Sequence, residues 1–359
     1  MDPHTAGKHF VLAEYLKAWF AIIGQTTERM VFIDGFAGPG RYTGGEPGSP
    51  IIALNVLRDH ASLPRFRAEA GFFFIEERSD RVAALRAELT ALTASLPDGV
   101  SYEVVEGMFD ATLGDVLDRL DADGRFLAPA FVMVDPFGVS GIPLGLMRRL
   151  LGNPKCELYI TLMASWINRF RNTQEYEGAL MELYGDDSWR AVVDLPEGDA
   201  RVLGFLDLYE AKLRTSGASF VQRFNLYRDN AFLYSIFFAT NHRLGCARMK
   251  DAIWRLDPSG GYEFRGRRAG RDQLALDIGG QPNLRELGRS LTQHLQHIGV
   301  ASVSELEVWL DGDETPFRRA HLRDALRPLE DAGTIGVEAV NRRGRSYPTR
   351  AIIRLLSSD

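Results

Sequence analysis

The chain has 359 residues, of which 45% are hydrophobic and 25% are charged, and its formal net charge is −6. This length and composition predict an ordinary soluble globular protein with about two domains. The acidic balance excludes a nucleic-acid footprint spread over the whole surface, so any such binding must come from local basic patches.

Metal, disulfide and membrane signals are weak. Cys156 and Cys246 lie far apart in apolar segments and outside any Cys-x-x-Cys pattern, which predicts neither a disulfide framework nor a zinc site. His294 and His297 share a helix face but have no further ligand nearby, so we predict a surface pair and no metal. No segment has the apolar length of a membrane helix and no signal-peptide pattern is present, so we expect a cytoplasmic protein.

The first predicted element is an amphipathic helix from about Gly7 to Gly24, where apolar residues recur at helical spacing. We expect this helix to pack on a sheet. His9 and Lys17 could reach a ligand from it, and a solvated or capping role is the alternative that the pattern favours.

The stretch Met30–Gly40 is an apolar run that ends in Asp34 and enters a glycine-rich turn. It predicts a buried parallel strand followed by a loop whose backbone can approach a ligand closely. A helix from Ile51 to Asp59 follows, with Ser49 as its predicted N-cap and Pro50 at its first position. Strand, loop and helix form the first half of a Rossmann-like unit.

The glycines of this loop do not have the spacing of the dinucleotide fingerprint, so nicotinamide cofactors are disfavoured. An acid just before Phe-Ala-Gly-x-Gly looks like the first motif of S-adenosylmethionine (SAM)-dependent methyltransferases, particularly those acting on nucleic acids. SAM has no pyrophosphate, so its loop can place an acid near the ammonium and sulfonium groups. The alternative is that the glycines only turn the chain. The predicted cofactor-binding residues here are Asp34, Gly35, Ala37, Gly38 and Gly40.

A second buried strand, starting near Gly71, ends in Glu76 and Glu77. In Rossmann-like folds an acid at this position accepts hydrogen bonds from the ribose hydroxyls of the cofactor. Glu76 is the better candidate, because Glu77 would point the other way. The alternative is an acid that begins the next helix, near Ser79.

A third strand is predicted from Tyr102 to Val105, after a helix from Ser79 to Leu96. Methyltransferases commonly place a polar residue just after this strand against the adenine amino group, and an apolar side chain on the ring. Asp110 could supply the first contact, and Met108 or Phe109 the second.

The fourth strand, Pro129–Val134, runs directly into Asp135-Pro136-Phe137-Gly138. Amino-methyltransferases of nucleic acids carry Asp/Asn-Pro-Pro-aromatic here, where an acceptor side chain and a backbone carbonyl bind the target amino group and the aromatic ring stacks on the base. This sequence lacks the second proline of that motif. We predict catalytic roles for Asp135, Pro136 and Phe137, and an ordinary Asp-Pro turn is the alternative.

A fifth strand from Cys156 to Met163 precedes helices and then an antiparallel hairpin of Phe220–Tyr227 and Ala231–Thr240. Five strands alternating with helices and a closing hairpin match the seven-strand sheet of class I methyltransferases. We therefore predict an α/β fold of this Rossmann-like class over residues 1–258. Polar residues that could line the same face after the fifth strand are Asn168, Arg169 and Arg171.

Residues 259–282 are glycine-rich, basic and poor in apolar residues, which predicts a linker. In residues 283–359, three helices precede two short strands joined by a basic connection, the order of a winged helix. Winged helices bind nucleic acid through the third helix and the wing; a protein-binding winged helix with a solvated basic face is the alternative. The candidate nucleic-acid-binding residues are Arg318, Arg319, Arg323, Arg342, Arg343 and Arg345.

Nearly the whole chain resembles the three-Cys-motif partner protein family. The motifs that carry the resemblance are Tyr15–Trp19, Ile33–Tyr42 with Gly48–Pro50, Asp135–Gly138, and Thr240–Gly245 with Met249, Lys250, Ile253 and Trp254. The resemblance implies a Rossmann-like methyltransferase domain and a functional link to a partner with a three-cysteine motif, an iron–sulfur protein of the radical-SAM kind.

Two functions stay open. The first is a SAM-dependent methyltransferase that acts on an amino nitrogen of a nucleic acid and works with the iron–sulfur partner. The second is a non-catalytic partner or regulator that recruits nucleic acid or the iron–sulfur protein. Glu76 and Asp135 beside an intact glycine loop favour the first, because a scaffold needs neither, and the missing second proline keeps the second open.

Overall fold

The computed structural model describes residues 3–164, 174–228, 231–258, 263–266, 281–340 and 342–356. The predicted face residues Asn168, Arg169 and Arg171 lie outside these ranges, as does most of the predicted linker. Among the helices within these ranges, none is long and apolar enough to cross a lipid bilayer.

The larger unit is a sheet covered by helices on both faces. Its strands are β1 (Arg29–Asp34), β2 (Glu69–Glu76), β3 (Val100–Glu106), β4 (Ala130–Val134), β5 (Cys156–Leu162), β6 (Phe220–Arg228), β7 (Ala231–Thr240) and β8 (Glu263–Gly266). Its helices are α1 (Pro3–Thr26), α2 (Ser49–Arg58), α3 (Ser79–Thr93), α4 (Phe109–Ala122), α5 (Leu144–Leu151), α6 (Gln174–Tyr184), α7 (Trp189–Val193), α8 (Asp199–Thr215) and α9 (Arg243–Leu256).

The strand order in the sheet is β3-β2-β1-β4-β5-β7-β6-β8. Strands β1 to β5 are parallel, and β7 runs antiparallel to both of its neighbours, β5 and β6. The Rossmann-like sheet with a closing antiparallel hairpin is therefore confirmed. Strand β8 is an eighth strand, and it lies inside the stretch predicted as a linker. It pairs in parallel with β6 and so covers a sheet edge that would otherwise be open.

The middle of the sheet is buried on both faces, as the unbroken apolar sequences of β4 and β5 require. Helix α1 packs on one face through aromatic residues, with the Tyr15 ring centroid 5.5 Å from that of Phe131. Phe131 also stacks on Phe32, with the ring centroids 5.8 Å apart and the two ring planes nearly parallel. The Tyr159 hydroxyl on β5 donates to the carbonyl of Lys8 at 3.1 Å, and Lys8 pairs with Asp135 directly after β4, so the first turns of α1 lie near the C-terminal end of β4.

The smaller unit contains three helices and a three-stranded antiparallel sheet of order β10-β11-β9. In chain order its elements are α10 (Leu284–Ile298), β9 (Val300–Ser302), α11 (Val303–Leu310), α12 (Arg319–Asp331), β10 (Ile335–Glu338) and β11 (Ile352–Leu355). The three helices and the last two strands lie where the sequence predicts them, and β9 is an additional strand. Its three residues do not show a pattern that periodicity can detect.

Helix α9 joins the two units. The indole of Trp254 belongs to the core of the smaller unit, and its Nε1 donates a hydrogen bond to the carbonyl of Pro316 at 2.7 Å. Lys250 is fully buried and its ammonium donates to the carbonyls of Leu310 at 2.9 Å and Phe317 at 3.2 Å. The smaller unit is therefore docked on α9 by specific polar contacts.

Candidate functional site

A cleft of about 410 Å³ opens at the C-terminal ends of β1 to β4. Ligands of open α/β sheets bind at this edge, where the loops that follow neighbouring parallel strands converge. The cleft is lined by predicted residues from the ends of β1, β2 and β4 and from the start of α4, so the fold brings together positions that are distant in the sequence: Gly35, Glu76, Met108, Phe109, Asp110, Pro136 and Phe137. The other predicted residues of these segments lie outside the lining: Asp34, Ala37, Gly38, Gly40 and Asp135.

Glu76 connects the end of β2 to the glycine loop. One carboxylate oxygen accepts a hydrogen bond from the backbone N–H of Gly38 at 2.9 Å, and the other accepts one from Arg78 at 3.0 Å. The side chain lines the cleft although only 6% of the residue is exposed. A carboxylate has about four acceptor sites, so capacity remains for hydroxyl donors in the cleft.

The glycine loop needs glycine for two reasons. A Cβ on Gly35 would stand 2.3 Å from the ring of Phe109, so this ring can pack under the loop only because the side chain is absent. Gly38 and Gly40 have φ values of +64° and +86°, in the left-handed region that favours glycine. Ala37, just before Gly38, is buried, and its N–H donates to the carbonyl of Ile75 at 2.9 Å.

Asp34 lies beneath this loop and is fully buried. It accepts hydrogen bonds from the Ser49 hydroxyl at 2.5 Å and from the backbone N–H of Phe36 at 3.1 Å. Burial raises the pKa of Asp34 to about 6, against the opposing effect of these hydrogen bonds. The prediction of Ser49 as the N-cap of α2 is wrong, because the cap position belongs to Gly48 and the Ser49 hydroxyl binds Asp34 instead.

Asp135 has a partner that the sequence analysis missed. The ammonium of Lys8 on α1 forms an ion pair with Asp135 Oδ2, and the Lys8 side chain is only 7% exposed. Burial alone would raise the pKa of Asp135, but the adjacent Lys8 charge and the hydrogen bonds that the carboxylate accepts together hold this pKa below its ordinary value. The signal in the sequence is a lysine at helical spacing from Leu12 and Tyr15, on the buried face of α1.

His9 is buried beside this ion pair, with 5% of the residue exposed. Its Nε2 lies 3.4 Å from the Tyr42 hydroxyl, and its Nδ1 has no hydrogen-bond partner in the described part of the chain. Burial, together with the Lys8 charge, lowers the pKa of His9 to about 3, so the imidazole is neutral. The prediction that His9 has a solvated or capping role is therefore wrong. Lys17 is solvated as predicted, because its side chain is exposed and pairs with Glu14.

Phe137 and Met108 are apolar side chains exposed at the cleft. Phe137 is 80% exposed and Met108 54%, and both line the cleft. The guanidinium of Arg81 lies 5.4 Å from the Phe137 ring centroid. An exposed aromatic ring next to a cation can stack on a planar ligand, because every nucleobase presents a π-face.

The arginines predicted to bind nucleic acid mostly have acidic partners. The ion pairs are Arg318 with Asp251 at 3.4 Å, Arg319 with Asp311, Arg323 with Glu307 at 2.9 Å, Arg342 with Glu330 at 2.6 Å, and Arg345 with Asp331. Arg318 and Arg319 flank the start of α12, whereas Arg342 and Arg345 bind acids at its end, roughly 20 Å away at 1.5 Å per residue. The structure therefore divides the predicted basic surface into two groups and compensates most of its charge.

The described residues contain no group of three or more His, Cys, Asp or Glu side chains that could hold a metal ion. Of the predicted histidine pair, His294 stacks on Trp309 with the ring centroids 4.4 Å apart. Both cysteines are buried free thiols.

No protein-family profile matches the sequence, and no curated protein matches it. Several solved structures resemble this one. One is the Legionella pneumophila protein LPL1258, which has 12% sequence identity and a TM-score of 0.40; the match covers 67% of this chain and 85% of that chain. An O-methyltransferase from Bacillus cereus in complex with SAH has 13% identity, coverages of 64% and 80%, and a TM-score of 0.34. The O-methyltransferase TomG from Streptomyces achromogenes, in complex with SAM, has 18% identity, the same coverages, and a TM-score of 0.33.

Proposed function

We propose that this protein is a SAM-dependent methyltransferase whose cofactor binds in the 410 Å³ cleft. The observation that carries the proposal is Glu76, a buried carboxylate held at the cleft by two backbone N–H groups with acceptor sites to spare. Those sites suit the two ribose hydroxyls of the cofactor. Asp110, in the first turn of α4, and Met108 also line the cleft, and in this proposal they contact the adenine amino group and the adenine ring, respectively.

The fold supports the same proposal independently of the cleft. The first seven strands have the order 3-2-1-4-5-7-6 with strand 7 antiparallel, which is the arrangement of class I methyltransferases. The cleft lies at the topological switch point, between β1 and β4, where ligands of such sheets bind.

We further propose that the acceptor is an amino nitrogen, most simply that of a nucleobase. When bound, SAM supplies the methyl group of its sulfonium. Lys8 helps to keep Asp135 ionised, and a carboxylate has about four acceptor sites. In this proposal one of these sites binds an amino N–H, and the Pro136 carbonyl is the second acceptor. Two acceptors on its hydrogens would free the lone pair of the acceptor nitrogen. The methyl group would move from sulfur to nitrogen with SAH as the leaving group, and the nitrogen would lose one proton to water. The exposed ring of Phe137 is the stacking surface.

For the smaller unit we propose a winged helix that binds a protein. Its element order, helix-strand-helix-helix-strand-strand, supports the winged-helix assignment. Its ion-paired arginines favour a protein partner over direct binding of nucleic acid, because compensated charges release few counterions. The resemblance to three-Cys-motif partner proteins suggests the iron–sulfur protein as that partner. The second candidate function is a non-catalytic regulator with this fold, since the smaller unit would present the same protein-binding surface in either case.

Calorimetry tests the cofactor proposal. We expect the wild-type protein to bind SAM, and Glu76→Ala to weaken binding by about 1–3 kcal/mol because the ribose hydroxyls lose their acceptor. Glu106→Ala is the matched control, since Glu106 pairs in register with Glu76 on the neighbouring strand, is exposed and lies outside the cleft lining. Wild-type protein that shows neither heat of binding nor a thermal shift with SAM, SAH or sinefungin contradicts the proposal.

Salt-dependent binding of RNA and DNA tests the role of the arginines in the full-length chain. Arg343 is exposed and has no ion pair in the part of the chain that the structure describes. We expect Arg343→Ala to reduce the slope of log affinity against log salt by no more than about one, and Arg342→Ala to leave it unchanged. A large loss of slope for Arg342→Ala would mean that its ion pair with Glu330 opens on nucleic acid and that the smaller unit is a direct nucleic-acid binder.

A further inference from the structure

A second cavity, of about 320 Å³, lies between α1 and α9. It is lined by Glu157, the second residue of β5, and therefore lies towards the N-terminal edge of the sheet, opposite to the cleft. Its apolar walls are formed by Trp19, Ile22, Ile23 and Leu244. Neither the cofactor nor the acceptor of the proposed methyl transfer reaches this edge, so the cavity needs its own explanation.

The carboxylate of Glu157 is framed by the side chains of Tyr15 on α1 and Thr240 on β7 and by the backbone of α9 at Gly245. One oxygen accepts a hydrogen bond from the Tyr15 hydroxyl at 2.5 Å, and the other accepts one from the Thr240 hydroxyl at 2.9 Å. A Cβ on Gly245 would stand 2.2 Å from Glu157 Oε1, so α9 can pass this carboxylate only because residue 245 is glycine. Two accepted hydrogen bonds leave further acceptor sites on the carboxylate.

This buried acid does not serve packing alone. Glu157 is 4% exposed, and within the described residues no lysine, arginine or histidine lies at ion-pair distance. Burial raises its pKa to about 7, against the opposing hydrogen bonds from Tyr15 and Thr240. Removing a carboxylate from water costs free energy that an apolar side chain of similar size would not. A perturbed carboxyl group at a mostly apolar cavity is typical of a ligand site.

Two motifs that the proposed active site does not use meet here. Tyr15 and Trp19 are the ends of the first-helix motif Tyr15–Trp19, and Thr240 and Gly245 are the ends of the motif Thr240–Gly245. At this cavity the four residues supply two hydroxyl donors to Glu157, one aromatic wall and one position without a side chain.

The rim of the cavity is cationic. Lys155 is exposed, has no ion pair within the described ranges, and adopts a left-handed backbone conformation with φ 60°. A non-glycine residue in this conformation is uncommon and costs free energy. His242 also lines the rim, and Arg248 does so while paired with Asp251 at 2.9 Å. The buried carboxylate of Glu157 and the free ammonium of Lys155 are complementary to a ligand that carries one positive and one negative group.

We propose that this cavity binds a small zwitterionic metabolite with an apolar body, which donates its ammonium to Glu157 and places a negative group near Lys155. The apolar body lies between Trp19 and Leu244. The volume is at the lower end of the range of ligand pockets, about 300–1,000 Å³, and suits a molecule the size of an aromatic amino acid.

The test uses L-tryptophan as the probe, with tryptamine and indole-3-propionate as analogues that lack the carboxylate and the ammonium. In calorimetry on the full-length chain we expect L-tryptophan to bind, and indole-3-propionate to bind at least about tenfold more weakly, since it lacks the ammonium that pairs with the Glu157 carboxylate. Glu157→Gln should remove this discrimination. Lys155→Ala should weaken the binding of L-tryptophan but not that of tryptamine, which has no carboxylate. The exposed acid Glu103, on β3, supplies the control Glu103→Gln.

A second variant keeps the proposal testable if Glu157→Gln does not fold. Leu244 is 46% exposed at the mouth of the cavity, so Leu244→Trp should block entry while leaving thermal stability unchanged. The proposal is overturned if none of the probes binds at millimolar concentration, if Leu244→Trp binds L-tryptophan as the wild type does, or if SAM displaces the probe. SAM affinity should be the same in all of these variants, which separates failure here from failure of the methyltransferase proposal.

Discussion

Replacement of Asp135 by alanine is expected to cut methyl transfer about 10²-fold or more while leaving SAM affinity within a few fold. Asp135 follows β4 at the same edge of the sheet as the cleft, and its neighbours Pro136 and Phe137 line the cleft. The carboxylate acts on the amino group as its nitrogen becomes tetrahedral, so its loss should appear in the chemical step. Single-turnover transfer of labelled methyl from SAM to a confirmed nucleic-acid acceptor measures this step, and calorimetry measures the cofactor.

Asp135→Asn separates charge from shape, because the amide keeps an acceptor oxygen but loses the ion pair with Lys8. We expect it to retain more activity than Asp135→Ala. Asp98→Ala is a control for removal of an exposed acid at the other edge of the sheet. If turnover survives Asp135→Ala undiminished, Asp135 is only a turn residue and the acceptor is not an amino nitrogen held in this way.

Lys8→Met should have the largest effect on stability. The variant leaves the Asp135 carboxylate, 20% exposed, without its cation, and breaking such a pair costs about 3 kcal/mol or more of unfolding free energy. Lys8→Met/Asp135→Asn removes both charges and should regain most of this loss. Urea unfolding measures all three proteins, and equal stability of the single and double variants would show that the two side chains are not coupled.

The pH dependence of the same variants has a definite sign. In the wild type the pKa of Asp135 is lowered, so its ion pair adds stability above the ordinary carboxyl pKa, and this contribution is lost as pH falls through the lowered value. Without Lys8, burial dominates and should raise this pKa above its unfolded value. Lys8→Met should then be least stable near neutral pH and recover towards the wild type as the pH is lowered to about 4.

The sequence predicts the sheet well because strand burial has a local signature. The apolar run Ala130–Val134 and the hairpin strand Ala231–Thr240 have almost the bounds that their residues indicate. The position of Glu76 at the cleft also follows from local information, since the end of a parallel strand determines the edge at which its next residue lies. Cleft residues at strand ends are therefore predictable without a tertiary structure.

Pairing between distant side chains was not predictable in this way. Lys8 and Asp135 are 127 residues apart, and nothing in either segment specifies the other. The arginine prediction shows the same limit, because Arg342 counts as a positive charge in the sequence but forms two hydrogen bonds with Glu330 on α12. Periodicity identifies elements, whereas the net charge of a surface depends on which elements become neighbours.

Helix α9 contributes to two hydrophobic cores at once. Met249 and Ile253 pack against the main sheet, while Trp254 packs in the smaller unit and Lys250 satisfies two of its carbonyls. A chain shortened after Pro258 would leave an indole exposed and a buried ammonium without acceptors. The two units therefore should melt in a single cooperative transition, and evolution could not exchange the smaller unit for another module without redesigning this helix.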